Sequence, residues 1–191
     1  MGLDLPIRTA RLTLRALTPS DLDDHFALYS NPLVVRYLYP SPLTRDEAVE
    51  SLGRRCRVEL PQEGEWLNLA VERDGEFLGE VGLSRVSLDH RGWEVGYVFA
   101  PSAAGHGYAA EATRAMVDLA FDELEAHRVT GHLDARNHRS AALLERLGLR
   151  REAHLRENEF VKGEWCDEVV YAVLADEWAS ARSASPRAGP R

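Results

Sequence analysis

Hydrophobic and polar positions along the chain follow two periods, which predict a mixture of strands and helices. Near the N-terminus, Leu12 and Leu14 alternate with polar residues, as in a half-exposed strand. Read to the end of the chain, the two periods predict the order β-α-α-β-β-β-α-β-α-β-β. This order is typical of one domain with a mixed α/β sheet.

Four segments have apolar residues at helical spacing, and these helices are predicted to begin near Thr18, Thr44, Ala109 and Asn137. The first is expected to end near Asn31, and the stretch 33–43, which prolines interrupt, is expected to be a loop or a broken helix. Thr44-Arg-Asp-Glu47 is a capping box for the second helix. Gly148 is predicted to end the fourth.

The strands are predicted in the remaining hydrophobic runs: residues 67–72, 77–85, 93–100, 129–134, 149–160 and 168–174. Asp74-Gly75 predicts a type I′ hairpin between the first two of them. From residue 179 the sequence is rich in Arg, Ser, Ala and Pro. The domain is therefore expected to span 1–178, with a disordered tail at 179–191.

Composition excludes several functional classes. The 191 residues carry a net charge of −8, which argues against a nucleic-acid-binding surface and would suit a cationic acceptor. The two cysteines are expected to be reduced, and no His or Cys spacing predicts a metal site. No apolar run is long enough to span a membrane, so a cytoplasmic protein with no membrane partner is expected.

A short glycine loop precedes the third predicted helix. Gly105 and Gly107 would allow backbone N–H groups to converge on an anion at the helix N-terminus, although such a turn can equally be structural. The loop is not a P-loop, because no Gly-Lys-Ser/Thr follows. It is also not a dinucleotide-binding fingerprint, because Ala110 occupies the place of the third glycine.

Several motifs together resemble the ribosomal-protein N-terminal acetyltransferases of the GNAT superfamily over about residues 7–178. They are Arg11-Leu-Thr-Leu-Arg15, Glu94-Val-Gly-Tyr-Val-Phe-Ala-Pro101, Gly105-His-Gly-Tyr-Ala-Ala-Glu111-Ala112, Asn137-His-Arg-Ser140 and Gly163-Glu-Trp-Cys-Asp167. The resemblance implies a single-domain α/β GNAT fold. Its mixed, mostly antiparallel sheet is splayed at a central strand and flanked by helices.

The resemblance also implies acetyl-CoA as cosubstrate, without a metal. The pantetheine arm would pair with the backbone near Val98, Phe99 and Ala100, and an N–H of this region would stabilise the oxyanion. The pyrophosphate would bind the loop of Gly105, His106, Gly107, Tyr108 and Ala109. Asn137 would hydrogen-bond the pantetheine, and it is also a credible helix cap.

The sequence departs from the family pattern at three positions. Ala104 and His106 replace longer polar or basic residues, so phosphate binding would depend on backbone donors. Leu144 occupies the position, seven residues after Asn137, where many relatives have a tyrosine that protonates the thiolate. The general acid is therefore open.

Candidate catalytic and acceptor-binding residues follow from the same resemblance. Glu94 matches the position of a water-relayed base, with an ordinary exposed carboxylate as the alternative. Ser140 is the candidate to assist the thiolate, unless it only completes the helix end. Tyr37 and Tyr39 lie in a segment that borders the acceptor cleft in the family, or are solvent-facing loop residues.

The acceptor follows from amine chemistry, because only a neutral amine attacks a thioester. At pH 7 roughly a tenth of an α-amine is neutral, but only a few parts in ten thousand of a lysine amine. A protein N-terminus is the expected acceptor. The alternatives are a small amine (an aminoglycoside, a polyamine or an amino-acid derivative) and a non-catalytic CoA-binding module. Whether the chain forms a homodimer is left open.

Overall fold

Residues 3–184, which the computed structural model describes, form one sheet of eight strands with helices packed against it. The strands are β1 (Ile7–Arg8), β2 (Thr13–Ala16), β3 (Trp66–Arg73), β4 (Glu76–Ser87), β5 (Gly92–Phe99), β6 (Arg128–Asp134), β7 (Arg150–Val161) and β8 (Glu164–Leu174). The helices are α1 (Leu22–Tyr29), α2 (Arg45–Arg55), α3 (Tyr108–Asp122), α4 (His138–Leu147) and α5 (Ala175–Ala184). The predicted order of elements is found, with β1 and α5 added at the two ends.

The strand order in the sheet is β1-β2-β3-β4-β5-β6-β8-β7, and among these eight strands of residues 3–184 only β5 and β6 pair in parallel. These two strands pair only from Gly92–Arg128 to Glu94–Thr130, although β5 continues to Phe99 and β6 to Asp134. A gap therefore opens between their carboxyl ends. The predicted mixed sheet, splayed at a central strand, is confirmed.

The turn and helix-capping residues predicted from the sequence form the expected local structures. Asp74 and Gly75 both have positive φ, 52° and 84°, as a type I′ turn requires. Thr44 Oγ1 accepts a hydrogen bond from the Glu47 N–H, and Glu47 accepts one from the Thr44 N–H, so the capping box starts α2. Gly148, at φ 94°, ends α4.

Two faces of the sheet are covered by different helices. Leu69 and Val71 of β3 belong to the main core, which also contains Met116 of α3 and Leu144 of α4. Ala70, which points to the opposite face, packs with Leu52 of α2. Within residues 3–184, no helix is long and apolar enough to cross a membrane.

The two ends of the chain differ from the sequence-based expectation. A 3-10 turn over Pro19–Asp21 precedes α1, and α1 already ends at Tyr29. The tail predicted to be disordered from residue 179 is helical to Ala184 as part of α5, and residues 185–191 lie outside the described residues. The helix is held because Trp178 is buried, with its Nε1–H 2.8 Å from Asp118 Oδ1, and because Arg182 pairs with α3 carboxylates.

Candidate active site

A cleft of about 1180 Å³ lies at the gap between β5 and β6. Its lining includes Glu94 and Val98 from one face of β5, and Val95 and Tyr97 from the other face. Residues of both faces can line one cavity only where the sheet is open. The cleft therefore passes through the sheet at the splay, toward the N-terminus of α4.

The backbone of β5 offers polar groups to this gap at alternate residues. Ala100 donates its N–H to Leu78 O of β4 at 2.9 Å, and the regular antiparallel register turns the N–H and C=O of Val98 toward β4 as well. Alternation then directs the backbone groups of Tyr97 and Phe99 into the gap. Three residues are predicted to contact the pantetheine. The backbone N–H and C=O of Phe99 point away from β4 into the gap, whereas the N–H of Ala100 already bonds to Leu78. Val98 contributes its side chain to the lining.

The glycine loop lies at the N-terminus of α3 and does not line the cleft. Gly105 (φ 82°) and Gly107 (φ 79°) both have the left-handed conformation that glycine permits. A side chain at Gly105 would meet no atom within 4 Å, so the backbone there is open. The loop predicted to bind an anion therefore has an open backbone at Gly105, and His106 and Ala109 belong to the same helix end.

Arg11 holds this loop in place, a role that the sequence did not reveal. It donates to His106 O at 3.0 Å and forms an ion pair with Glu111 of α3 at 2.7 Å. The Tyr108 side chain is buried, lies under the Arg11 guanidinium and accepts a hydrogen bond from Arg73. Tyr108 can therefore offer only its backbone to a ligand.

Glu94 is a half-buried carboxylate inside the cleft. Burial raises its pKa; the charge of His132 opposes this shift and that of Glu168 adds to it. His132 Nδ1 is 2.7 Å from Glu168 Oε1, and Asn158 donates to the other oxygen of Glu168 at 2.8 Å. The alternative of an ordinary exposed carboxylate does not describe this position, because Glu94 is part of a group of interacting titratable residues.

Asn137 caps α4, since its Oδ1 accepts the N–H of Ser140 at 3.2 Å. Among residues 3–184 its Nδ2 has no hydrogen-bond partner, so the amide can still donate to a ligand. Ser140 and Asn137 both line the cleft. Leu144 does not: it is fully buried in the main core.

Tyr37 and Tyr39, for which the sequence predicts a role in acceptor binding, both line the cleft. Tyr39 is largely exposed. Its pKa is raised, first by the partial burial of its hydroxyl and second by the negative charge of Glu159. Trp66 lies on Gly96, where a Cβ would be 2.9 Å from the ring. Trp66 thus forms an aromatic floor that was not predicted.

Charged side chains of both signs line the cleft, and the lining includes Lys162 in the turn between β7 and β8 and Glu59 two residues after Arg57. Carboxylates of the β5, β7 and β8 side include Glu94, Glu159 and Glu168. At the end of α2, Arg55 pairs with the buried Glu80 at 3.1 Å. The structure records no carboxylate within 4.0 Å of Arg54 or Arg57 among residues 3–184, and no His/Cys/Asp/Glu group there could hold a metal.

Sequence reasoning missed Tyr97, His132, Glu168 and Trp66 as members of the site. The available signals were weak: Thr130, His132 and Asp134 form a polar face on β6, and Gly82 lies opposite Gly96. A glycine pair across two strands indicates that a large group covers them. Nothing in either pattern tells which side chain that is.

Comparison with known proteins places these features in a family. A family model described as acetyltransferase (GNAT) domain matches residues 11–150. Bacillus licheniformis p20, an uncharacterized N-acetyltransferase, is 27% identical over 90% of this chain and 97% of its own. Spermidine N(1)-acetyltransferase of Vibrio cholerae is 27% identical over 88% and 96% of the two chains.

A third relative covers less of the chain. Bacillus subtilis YdaF, named a putative ribosomal N-acetyltransferase, is 34% identical over 55% of this chain and 57% of its own. Among solved structures, a Bacillus anthracis GNAT acetyltransferase has a TM-score of 0.81 at 25% identity over 90% and 99% of the chains. The Vibrio cholerae spermidine N-acetyltransferase in complex with CoA and spermine has a TM-score of 0.77 at 26% identity over 90% and 99%.

Proposed function

Because the chain belongs to the GNAT acetyltransferase family, and therefore transfers acetyl groups from acetyl-CoA to amines, we propose that its acceptor is the α-amine of a peptide or protein N-terminus. The proposal places the chain with the ribosomal-protein N-terminal branch of the family. Glu94, a half-buried carboxylate with a raised pKa at the edge of the sheet gap, supports an amine acceptor of any kind. The choice of an α-amine is supported by the resemblance of the motifs over residues 94–112 and by the partial relative named a putative ribosomal N-acetyltransferase.

The residues of the gap suit acetyl-CoA, which supplies the acetyl group as a thioester. The exposed backbone edge of Phe99 and the free amide of Asn137 are placed to hold an extended amide-containing arm. The open N–H groups between Gly105 and Ala109, at the N-terminus of α3, suit a pyrophosphate. Arg11 fixes the position of that loop through His106 O.

Glu94 is proposed to accept protons from the amine through a water molecule, first from the ammonium form before attack and then as the N–C bond forms, and to pass them to solvent. A carboxylate with a raised pKa is a stronger base than an ordinary one. An α-amine needs little such help, because its pKa is about 7.7–8.0 against about 10.4 for lysine. That difference corresponds to about 3.5 kcal/mol at one pH. Ser140 stays a candidate to assist the departing sulfur.

The charges of the cleft favour a peptide over a polyamine. A polyamine carries positive charge along its whole length, so Arg54 and Arg57 of the cleft lining would repel it. A peptide has one positive end, for Glu94 and Glu168, followed by carbonyl groups that arginines can bind. Spermidine is the second candidate, because the acidic side resembles a polyamine site and a spermidine acetyltransferase is among the relatives.

Thiol release from acetyl-CoA tests the proposal with three acceptors. These are a lysine-free peptide, the same peptide with a blocked N-terminus, and spermidine. We expect release with the free peptide, none with the blocked one, and a kcat/KM for spermidine at least ten-fold lower. A preference for spermidine would replace the peptide by a polyamine. No release with any acceptor would favour a non-catalytic CoA-binding module.

A further inference from the structure

The position that the wider family uses for a tyrosine cannot serve the cleft in this chain. Leu144 is fully buried, and its Cδ1 would be 2.7 Å from a Cβ added at Gly131 of β6. It therefore fills the space between α4 and the sheet, away from the lining of the cleft. If a side chain donates a hydrogen bond to the departing sulfur, it must come from elsewhere.

Another tyrosine reaches the same end of α4 from the sheet. Tyr97 belongs to the face of β5 that packs against the main core, and it lines the cleft beside Asn137 and Ser140. Its Oη donates to the backbone carbonyl of Ser140, at 3.3 Å. The phenol thus lies at the first turn of α4, at the gap where β5 and β6 separate.

The geometry points to Tyr97 as the hydrogen-bond donor that stabilises the sulfur of the coenzyme when it leaves as a thiolate. This role depends on the use of acetyl-CoA, but not on the identity of the amine. A 3.3 Å hydrogen bond to a neutral carbonyl is long, so the hydroxyl can exchange it for an anionic sulfur at little cost.

Tyr97 is expected to donate this bond without giving up its proton. Burial raises the pKa of Tyr97 to about 12, opposed by the Ser140 side chain and the charge of Arg146 on α4. Val81, which pairs with Tyr97 from β4, is apolar and adds no charge to this environment. A thiol has a pKa of about 8.5, so proton transfer from the phenol to the thiolate is unfavourable. As the N–C bond forms and the C–S bond breaks, the amine proton leaves toward Glu94, and solvent protonates the released thiolate.

The test compares the binding of CoA and of desulfo-CoA, which lacks the sulfur, to the wild type and to Tyr97→Phe. At pH 10, where the free thiol is ionised, the wild type should bind CoA about ten-fold or more tightly than desulfo-CoA. Tyr97→Phe should bind both ligands alike. The ratio of the two dissociation constants is insensitive to partial unfolding, because unfolded molecules bind neither CoA nor desulfo-CoA.

Ultraviolet titration of the bound thiolate provides a second measurement. The pKa of bound CoA should rise by about one unit from wild type to Tyr97→Phe. Tyr171→Phe is the matched control, since Tyr171 also donates to an α4 residue, Glu145 at 2.8 Å, but lies outside the lining of the cleft. It should behave as the wild type.

Two results would overturn the assignment. If Tyr97→Phe keeps both the preference for CoA and the thiol pKa of the wild type, the phenol does not contact the sulfur. If the wild type does not bind CoA at all, the use of acetyl-CoA is wrong, and the role of Tyr97 is excluded with it.

Discussion

Replacing Glu94 by glutamine removes the proposed base while keeping the size of the side chain. The charges of His132 and Glu168 both act on Glu94, so the substitution also removes one negative charge from a group of interacting residues. We expect the variant to fold, because it relieves a buried charge. The loss should appear in turnover and should depend on the pKa of the acceptor amine.

The size of the loss follows from the fraction of neutral amine. General bases contribute typically about 10²–10⁴-fold. For an α-amine, of which roughly a tenth is neutral at pH 7, we expect a loss near the lower limit, about 10–100-fold. For a lysine amine the same substitution should lower turnover about 10³-fold or more. Deprotonating a lysine ammonium costs about 3.5 kcal/mol more than deprotonating an α-ammonium, and the variant has no base to assist it.

The pH dependence has a definite sign. A carboxylate base works above its pKa, and burial raises the pKa of Glu94. As pH decreases, wild-type kcat should therefore begin to fall at a higher pH than it would if Glu94 had the pKa of an ordinary glutamate. Glu94→Gln should lack this acidic limb, and its deficit on α-amines should shrink above about pH 8, where the amine deprotonates by itself.

Initial rates on a lysine-free peptide and on an N-terminally blocked lysine peptide, between pH 6 and 9, measure these effects. Glu50→Gln, an exposed α2 carboxylate outside the cleft lining, is the control and should match the wild type. Equal losses for both acceptors at every pH, or no loss, would refute the assignment of Glu94 as base.

Two further predictions concern the cofactor loop and the last helix. Gly107→Val forces a branched residue into φ 79° where the loop should approach phosphate, and calorimetry should show acetyl-CoA binding weakened ten-fold or more. Gly148→Val, equally strained at φ 94° but at the end of α4, should leave affinity unchanged, and equal affinity in both variants would contradict the loop assignment. Trp178→Ala removes a buried indole and its bond to Asp118, so urea unfolding should show about 3–5 kcal/mol less stability. A change under 1 kcal/mol would mean that α5 is not docked.

The elements that the sequence predicts well are those with a local physical cause. The Asp74-Gly75 turn, the Thr44 capping box and the Gly148 helix end each depend on a few adjacent residues. The order of strands and helices follows from periodicity in the same way. The splay between β5 and β6 followed from the family resemblance and could not be read from periodicity.

The parts that were missed depend on contacts between distant residues. Tyr97 meets Ser140 across 43 positions, and His132 meets Glu168 across 36. No local pattern encodes these pairs, because the strand order of the sheet brings them together. Residues 179–184 were misread for the same reason: their composition resembles a disordered segment, whereas Trp178 and Arg182 tie this helix to α3.

One measurement tests the acceptor directly. A single peptide with a free N-terminus and one internal lysine is incubated with the protein and acetyl-CoA, and fragmentation mass spectrometry locates the acetyl group. Both amines are then present at the same concentration and compete for the same cleft. We predict the acetyl group on the N-terminal α-amine in at least nine of ten product molecules. Acetylation mainly on the lysine, or none under conditions where spermidine is acetylated, would contradict the proposed function.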